Sequence, residues 1–308
     1  MADKPHLNVV ILGHVDHGKS TGMGHFLFDL GVVDQRKVDE YAKEFEKTGK
    51  GDSWKYAWVL DNLKDERERG VTIDLAFQKF ETDKYFYTLI DAPGHRDFVK
   101  NMITGASESD GAVLMVSAKK GESETAVGAG GQAREHAFLA KTLGVNQVIV
   151  CINKMDDGIV NWSKDRYDIV KAEVETLLKA VGYDTSKISF IPTSGWKGDN
   201  LVKKSENMNW YTGPTLYEAL DKFIDPPKGL DKPLRLPVQD VFSITGVGTV
   251  PVGRVETGNM KVGDSLVIMP SGVKAELKTI ETHHTPMQEA KAGDNIGFNL
   301  RGISKTDI

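Results

Sequence analysis

The first residues whose types and spacing suit chemistry lie at positions 13–20. They read GHVDHGKS, which is the pattern glycine, any four residues, glycine, lysine, serine. Backbone N–H groups in such a loop point inward at a polyphosphate, and the positive end of a following helix adds a favourable dipole. Lys19 is expected to reach the outer phosphates and the Ser20 hydroxyl to bind Mg²⁺. The pattern predicts a phosphate site formed by Asp16, His17, Gly18, Lys19, Ser20 and Thr21.

The elements on both sides of this loop are the ones that the pattern requires. The apolar run 8–12 is typical of a buried strand, and residues 19–30 carry apolar side chains at spacings of three and four, which predicts a helix. Gly22 and Gly24 lie inside that helix, where each costs ~1 kcal/mol relative to alanine. Close packing of another segment would explain them.

A second group of candidate residues follows the next predicted strand, which ends at Asp91. A carboxylate at a strand end beside a phosphate loop is where a nucleotide-bound Mg²⁺ is held. The Thr72 hydroxyl is a candidate to complete the metal shell begun by Ser20. Gly94 allows a backbone N–H to approach a terminal phosphate. His95 then lies beside the place of an attacking water, so we predict a catalytic histidine there.

A third group predicts recognition of a base. The strand 147–152 runs into Asn153, Lys154 and Asp156. A carboxylate here accepts two hydrogen bonds from the N1 and N2 donors of guanine, which adenine cannot supply, and the Asn153 amide can meet the other edge. The Lys154 stem can cover the ring face. After the strand 187–192, the backbone N–H groups of three residues are candidates to contact the base oxygen: Ser194, Gly195 and Trp196.

The order of these elements predicts two domains. Strands alternate with helices, and the candidate residues follow strand ends, so we predict an α/β P-loop domain with a doubly wound, mostly parallel sheet over residues 1–224. Residues 225–233 hold three prolines and form a stiff linker. From 234 to 308 short β-rich runs alternate with turn signals, which predicts an all-β antiparallel barrel.

Three connecting segments carry further expectations. Residues 34–63 form a long charged insertion with two weak helical patterns. Alternation of Val71, Ile73, Leu75 and Phe77 predicts a strand over 71–77. Residues 119–131, rich in glycine, alanine and glutamate, are expected to form a mobile surface loop.

Composition narrows the class of protein. The chain has 308 residues, 40% of them apolar, and a formal net charge of −5, which disfavours a non-specific nucleic-acid binder such as a DNA-coating protein. The single cysteine, Cys151, lies in an apolar run and is expected to be buried. With no apolar run of membrane-spanning length and no signal peptide at the start, we expect a soluble, cytoplasmic protein. His283 and His284 would face opposite sides of a strand, so joint metal binding is disfavoured.

Five motifs in this order resemble those of the translational GTPases: GHVDHGKS, RERGVTI, DAPGH, NKMD and TSGW. The sequence around them is similar to the elongation factor 1-alpha family of archaea and eukaryotes, as in KPHLNVV, KYAWVLD, GHRDFVKNMITGAS, NMNWYTGPTLYEALD and DVFSITGVGTVPVGRVETG. The resemblance implies GTP/GDP binding with Mg²⁺, GTP hydrolysis, delivery of aminoacyl-tRNA to the ribosomal A site, and a guanine-nucleotide exchange factor as a partner.

The same resemblance implies roles for individual residues. Thr72 would bind Mg²⁺ only with GTP, and the 34–73 region would reorganise after hydrolysis. His95 would orient the attacking water on the ribosome, with Val15 and Val71 as an apolar gate beside it.

The resemblance also concerns the second domain, which in the family holds the aminoacyl end of the tRNA. Three residues match positions near that pocket: Glu281, His284 and Asn295. The family has a third domain, another β-barrel, so we expect this chain to be a fragment.

Other functions share some of these motifs. A termination or ribosome-rescue GTPase, or the GTPase subunit of sulfate activation, would differ in its partner-facing surface. A nucleotide-regulated scaffold would need no water-positioning residue, and an ATP-dependent P-loop kinase is disfavoured by Asn153 and Asp156.

Overall fold

The structure is a computed structural model of the 308-residue chain. It describes residues 4–46, 54–60, 75–93, 99–223, 229–244, 247–282 and 285–308. The chain divides into two compact units, Met1–Asp225 and Pro226–Ile308, and each has its own apolar core.

The first unit is built on a six-stranded sheet. Its strands are β1 (His6–Gly13), β2 (Ala76–Glu81), β3 (Phe86–Asp91), β4 (Gly111–Ser117), β5 (Gln147–Asn153) and β6 (Ser189–Pro192). They lie in the order β2-β3-β1-β4-β5-β6, and every neighbouring pair is parallel except β2 and β3. The predicted mostly parallel sheet is therefore confirmed.

Helices cover both faces of this sheet. They are α1 (Lys19–Asp29), α2 (Gln35–Glu46), α3 (Trp54–Ala57), α4 (Val99–Ser107), α5 (Glu122–Val127), α6 (Gln132–Thr142), α7 (Lys164–Val181) and α8 (Leu216–Leu220), with a 3₁₀ turn at Thr185–Lys187. Alternate residues of β1 enter opposite cores, Val9 and Ile11 on one face and Val10 and Leu12 on the other. Within the described ranges, each helix is too short or too polar to cross a membrane.

The longest helix among the described residues, α7, is one that the sequence patterns above do not identify. Ser163 caps its start by accepting the Arg166 N–H, and Gly182 ends it with a φ of 97°. Both are ordinary helix signals, a serine cap and a C-terminal glycine. Most of its apolar side chains are buried, among them Tyr167, Val170, Val174, Leu177 and Leu178, whereas Ile169 is exposed.

Part of the strand predicted over 71–77 lies among the described residues. Residues 71–74 lie outside the described part of the chain, and β2 begins at Ala76. Ala76 and Phe80 of β2 are buried, whereas Phe77 is 38% exposed, so the prediction that Phe77 faces inward is wrong. The reason is tertiary, because Phe80 stacks on Tyr87 with ring centroids 5.0 Å apart and meets Phe26 edge-on.

The stretch 119–131 is not the loop that its composition predicts, because it contains the helix α5. The Glu124 side chain caps that helix by accepting the Gly121 N–H over 2.6 Å. Ser123 and Ala126 are fully buried against the rest of the unit. Packing and capping therefore order a segment that looks flexible in sequence.

Where the structure describes it, the second unit consists of β-strands and one terminal 3₁₀ turn, Lys305–Asp307. The strands are β7 (Val238–Ile244), β8 (Gly248–Arg254), β9 (Asn259–Lys261), β10 (Ser265–Ile268), β11 (Val273–Thr282), β12 (Thr285–Met287), β13 (Glu289–Lys291) and β14 (Asn295–Leu300). One sheet has the order β10-β11-β14-β8-β7 with β12 on β11, and β9 pairs with β13. All of these pairs are antiparallel, as predicted for an all-β domain.

Candidate nucleotide-binding site

The phosphate loop joins the end of β1 to the start of α1. Asp16 and Gly18 adopt positive φ angles of 60° and 79°, a conformation that aspartate tolerates better than most residues and glycine adopts freely. Lys19 is buried, and its amine donates to the carbonyl of His14 over 3.2 Å. Since the first-turn N–H groups of a helix have no intrahelical partner, the loop presents donors and a cation to an anion.

Hydrogen bonds to two buried histidines join this loop to neighbouring elements. The Ser117 N–H donates to Nδ1 of His17 over 3.2 Å, and the Gly13 N–H donates to Nδ1 of His136 over 3.3 Å. A nitrogen that accepts from an N–H carries no proton, so both rings are neutral with the proton on Nε2. Burial, together with the charge of Lys19 and the neighbouring His14, lowers the pKa of each ring to about 3.

Oxygen ligands suited to Mg²⁺ meet where β3 ends. The Ser20 hydroxyl donates to Oδ2 of Asp91 over 2.9 Å, and Asp91 is fully buried. A hydroxyl and a carboxylate beside a phosphate loop are the donor set that Mg²⁺ prefers, so the residues present fit the metal. The other predicted residues of this end, Val71, Thr72, Gly94 and His95, lie outside the described residues.

Val15, the predicted gate residue of the phosphate loop, is partly buried. Its N–H donates to Oε1 of Gln132 over 3.5 Å. Gln132 is the first residue of α6 and is 6% exposed. This helix therefore contacts the loop on the side of Val15, a neighbour that the sequence patterns do not identify.

Asn153 joins the phosphate loop to the predicted base loop. Its Nδ2 donates to the carbonyl of His17 over 2.9 Å, and its Oδ1 accepts the Gly195 N–H over 2.8 Å. The side chain is almost fully buried. Both polar ends of the amide are thus bonded to the protein, and its first role in the structure is to fix the distance between two loops.

The remaining base-end residues surround Asn153. Oδ1 of Asp156 accepts the Ser194 hydroxyl over 2.6 Å, which orients the carboxylate that is predicted to read guanine. Lys154 adopts a φ of 63°, which is strained for a residue with a long side chain. Trp196 is 41% exposed, with the Lys197 amine 3.9 Å from its ring centroid. The structure therefore brings together the base-end residues that the sequence predicts.

Of the two glycines inside α1, Gly24 is explained by a close approach of backbone, whereas a Cβ on Gly22 would first meet the flexible Met115 side chain at 3.2 Å. A Cβ on Gly195 would lie 2.8 Å from Cα of Gly22, so helix and base loop touch through backbone. A Cβ on Gly24 would lie 1.9 Å from the carbonyl oxygen of Tyr56. The neighbouring His25 makes both contacts: its Nδ1 is hydrogen-bonded to the Gly195 carbonyl at 3.0 Å, and its ring stacks on that of Tyr56 with centroids 4.0 Å apart. The helix that follows the phosphate loop thus contacts both the base loop and α3 of the insertion.

The predicted tRNA-contacting residues of the second unit are placed on neighbouring strands. Glu281 lies near the end of β11, exposed, and pairs with Gly297 of β14. Asn295 begins β14, and its carbonyl accepts the Thr282 hydroxyl over 2.9 Å. His284 lies outside the described residues. The pairing of β11 with β14 therefore places Glu281 and Asn295 at neighbouring ends of these two strands.

Comparison with known proteins places both units in one family. A family model described as Elongation factor Tu GTP binding domain matches residues 4–226, and one described as Elongation factor Tu domain 2 matches residues 248–308. The elongation factor 1-alpha of Cenarchaeum symbiosum (strain A) is 68% identical over 308 residues, which is all of this chain and 70% of that protein. That of Thermofilum pendens is 61% identical over 306 residues and 70% of its length.

Solved structures share the fold of this chain. Sup35 complexed with GMPPNP is 31% identical, with a TM-score of 0.54 over 98% of this chain and 65% of that chain. The S. cerevisiae Ski7 GTPase-like domain, bound to GDP and inorganic phosphate, has a TM-score of 0.79 at 22% identity, over 97% of this chain and 70% of that chain, which shows the fold alone. The chain belongs to the elongation factor 1-alpha family of translational GTPases, of whose curated members it spans about 70% of the length.

Proposed function

We propose that this protein is a cytoplasmic translation elongation factor that carries aminoacyl-tRNA to the ribosomal A site and hydrolyses GTP to GDP on codon recognition. The observation that carries the proposal is the pair of hydrogen bonds made by the Asn153 side chain, which join the phosphate loop to the base loop in a chain 68% identical to an elongation factor 1-alpha. One rigid site can then hold both ends of a guanine nucleotide. An exchange factor resets the protein by promoting the release of GDP, so that GTP can bind.

At the phosphate end, the N–H groups from Asp16 to Thr21 and the Lys19 amine bind the β- and γ-phosphates. Ser20, Asp91 and, in the GTP state, Thr72 hold Mg²⁺, which supplies positive charge to the phosphate oxygens when it is bound. The Gly94 N–H contacts the γ-phosphate. Because Thr72 has a role only while the γ-phosphate is present, the insertion that precedes it changes with the nucleotide.

Hydrolysis depends on the position of one water molecule. His95 orients this water for in-line attack on the γ-phosphorus, and Val15 and Val71 keep other water out until the ribosome closes the site. The Val15 N–H bond to Gln132 supports this role, because it holds the backbone of the gate residue in place.

At the base end, Asp156 accepts from N1 and N2 of guanine, and Lys154 covers one face of the ring. Asn153 keeps the segment in register with the phosphate loop by accepting the Gly195 N–H. The Ser194 N–H donates to the Asp199 carbonyl. Of the three predicted donors, Trp196 therefore supplies the backbone N–H that approaches the guanine oxygen. The Ser194 hydroxyl supports the assignment of Asp156, because it orients the carboxylate, and each carboxylate oxygen keeps a lone pair for a guanine donor. In the second unit, Glu281, His284 and Asn295 contribute to the pocket for the aminoacyl end.

The test is the rate of spontaneous ester hydrolysis of aminoacyl-tRNA, measured in GTP and in GDP with the full-length product of the gene. The 308-residue chain is run in parallel. We expect slower hydrolysis only with GTP, because a carrier shields the ester in its GTP state. Absence of protection by the full-length product, with GTP binding intact, would overturn the carrier role and favour a termination or rescue factor.

A further inference from the structure

The loop between β4 and α5 is wrapped around one buried guanidinium. Arg166, in the first turn of α7, is 8% exposed. Its Nε donates to the Ala118 carbonyl over 2.6 Å. Its Nη2 donates to the Lys119 carbonyl at 3.1 Å, the Ser123 hydroxyl at 2.7 Å and the Glu124 carboxylate at 3.1 Å. Because a buried charge is tolerated only when it is well bonded, Arg166 holds the carbonyls and side chains of this loop around its guanidinium.

The same network fixes where α5 begins. Oε2 of Glu124 accepts the Gly121 N–H over 2.6 Å and the Ser123 hydroxyl over 2.9 Å. The other oxygen of Glu124 accepts from Arg166. Glu122, the first residue of α5, is therefore placed by a helix start that Arg166 holds.

Glu122 lies between two lysines. Its Oε2 accepts from the Lys154 amine over 2.8 Å, and its Oε1 lies 3.2 Å from the Lys119 amine, which is also 3.6 Å from Asp157. Partial burial alone would raise the pKa of Glu122, but hydrogen bonds from Lys154 and Ser117 lower it to about 2. Glu122 is thus a carboxylate at all working pH values, and it anchors the amine of Lys154.

We propose that Arg166 and Glu122 are positioning residues for the base end of the nucleotide site. Arg166 orders the loop, the loop presents Glu122, and Glu122 holds Lys154 so that its methylene stem lies over the guanine ring. The inference rests on the proposed function, in which Lys154 covers the base. A lysine already held in place loses less rotamer entropy when the nucleotide binds, which slows nucleotide dissociation. The strained backbone of Lys154 agrees with a side chain whose direction is imposed by its surroundings.

The experiment measures the GDP dissociation rate of the full chain carrying Arg166→Met, Glu122→Gln or Lys154→Met, and of each pair with Lys154→Met. We expect Arg166→Met and Glu122→Gln each to speed GDP release about three- to tenfold, the range of one partly buried ion pair. Neither should add to the effect of Lys154→Met in the double variants, because both act through that side chain. Lys164→Met is the matched control, since Lys164 lies in the same helical turn but pairs with Asp168 on the surface, and it should leave release unchanged.

Each outcome has one meaning. Effects of Arg166→Met or Glu122→Gln that add fully to Lys154→Met would overturn the inference, because they would reflect a general loss of structure. Unchanged release in folded Arg166→Met or Glu122→Gln would also overturn it, if Lys154→Met itself speeds release. Should Lys154→Met have no effect, the assignment of Lys154 in the proposed function fails first. If Arg166→Met does not fold, Glu122→Gln carries the test, since Glu122 is partly exposed and the change keeps its shape.

Discussion

The Asn153 amide donates to the carbonyl of His17 over 2.9 Å, and this bond joins two motifs that are 136 residues apart in the chain. The second bond of the same amide, to the Gly195 N–H, brings in a third motif. Phosphate recognition and base recognition are therefore coupled through one buried side chain.

Asn153→Ala should weaken nucleotide binding far more than the loss of one contact to the base. The change leaves the His17 carbonyl and the Gly195 N–H buried without these partners, at about 1–3 kcal/mol each. We expect a lower free energy of unfolding by about 2–4 kcal/mol and GDP release at least tenfold faster, measured by denaturant titration and by displacement of labelled GDP. The control is Asn146→Ala, because Asn146 is exposed and directly precedes the strand that ends at Asn153. Equal effects in both variants would contradict the coupling.

Asp156→Asn should change which base the site prefers. An asparagine can still accept the Ser194 hydroxyl, so the loop geometry is kept, but its NH₂ group faces the guanine donors. We expect GTP affinity to fall by about 2 kcal/mol or more and xanthosine triphosphate to become the better ligand. Competition binding with both nucleotides measures this, and a variant that still prefers GTP would remove Asp156 from base recognition.

Gly24→Ala should destabilise the protein although alanine favours helices. The propensity gain of ~1 kcal/mol is outweighed because the new Cβ would lie 1.9 Å from the Tyr56 carbonyl and must displace backbone. We expect a net loss of about 1–3 kcal/mol in the free energy of unfolding. Gly22→Ala is the matched variant, since its Cβ first meets the flexible Met115 side chain at 3.2 Å and should cost less. The reverse ranking in denaturant titrations would show that α1 and α3 do not pack this closely.

Stability should rise with pH between about 3 and 6.5, in part because of His136. Burial, followed by the charge of Lys19 and the neighbouring His14, lowers the pKa of this ring to about 3 in the folded chain, whereas the unfolded side chain titrates near 6.5. Over that window the unfolded state binds more protons, so each such histidine adds up to about 1.4 kcal/mol per pH unit to the slope.

His136→Gln isolates this contribution, because a glutamine oxygen can accept the Gly13 N–H and does not titrate. The measurement is the free energy of unfolding across the window with GDP saturating in every sample. We expect a shallower slope in the variant. Parallel curves for the two proteins would show that His136 is not held neutral.

Much of the site was readable from sequence because its chemistry is local. The spacing in residues 13–20 places donors, a lysine and a hydroxyl at one helix start, and the structure has the strand, loop and helix that this requires. Asp91 and Asn153 end buried parallel strands, whose carboxyl ends meet at one edge of the sheet. Strand and helix periodicity also predicted the sheet and the change to antiparallel strands in the second unit.

The tertiary structure alone decided how these motifs are held together. Nothing in the spacing of Arg166, Glu122 and Lys154 indicates that one short helix connects them: Arg166 bonds Glu124 of α5, and Glu122 of the same helix bonds Lys154. The order of residues 119–131 and the inward face of β2 were also decided by distant partners, Arg166 and Tyr87. Sequence patterns report local propensity and periodicity, whereas buried charges and close backbone approaches depend on which elements fold against each other.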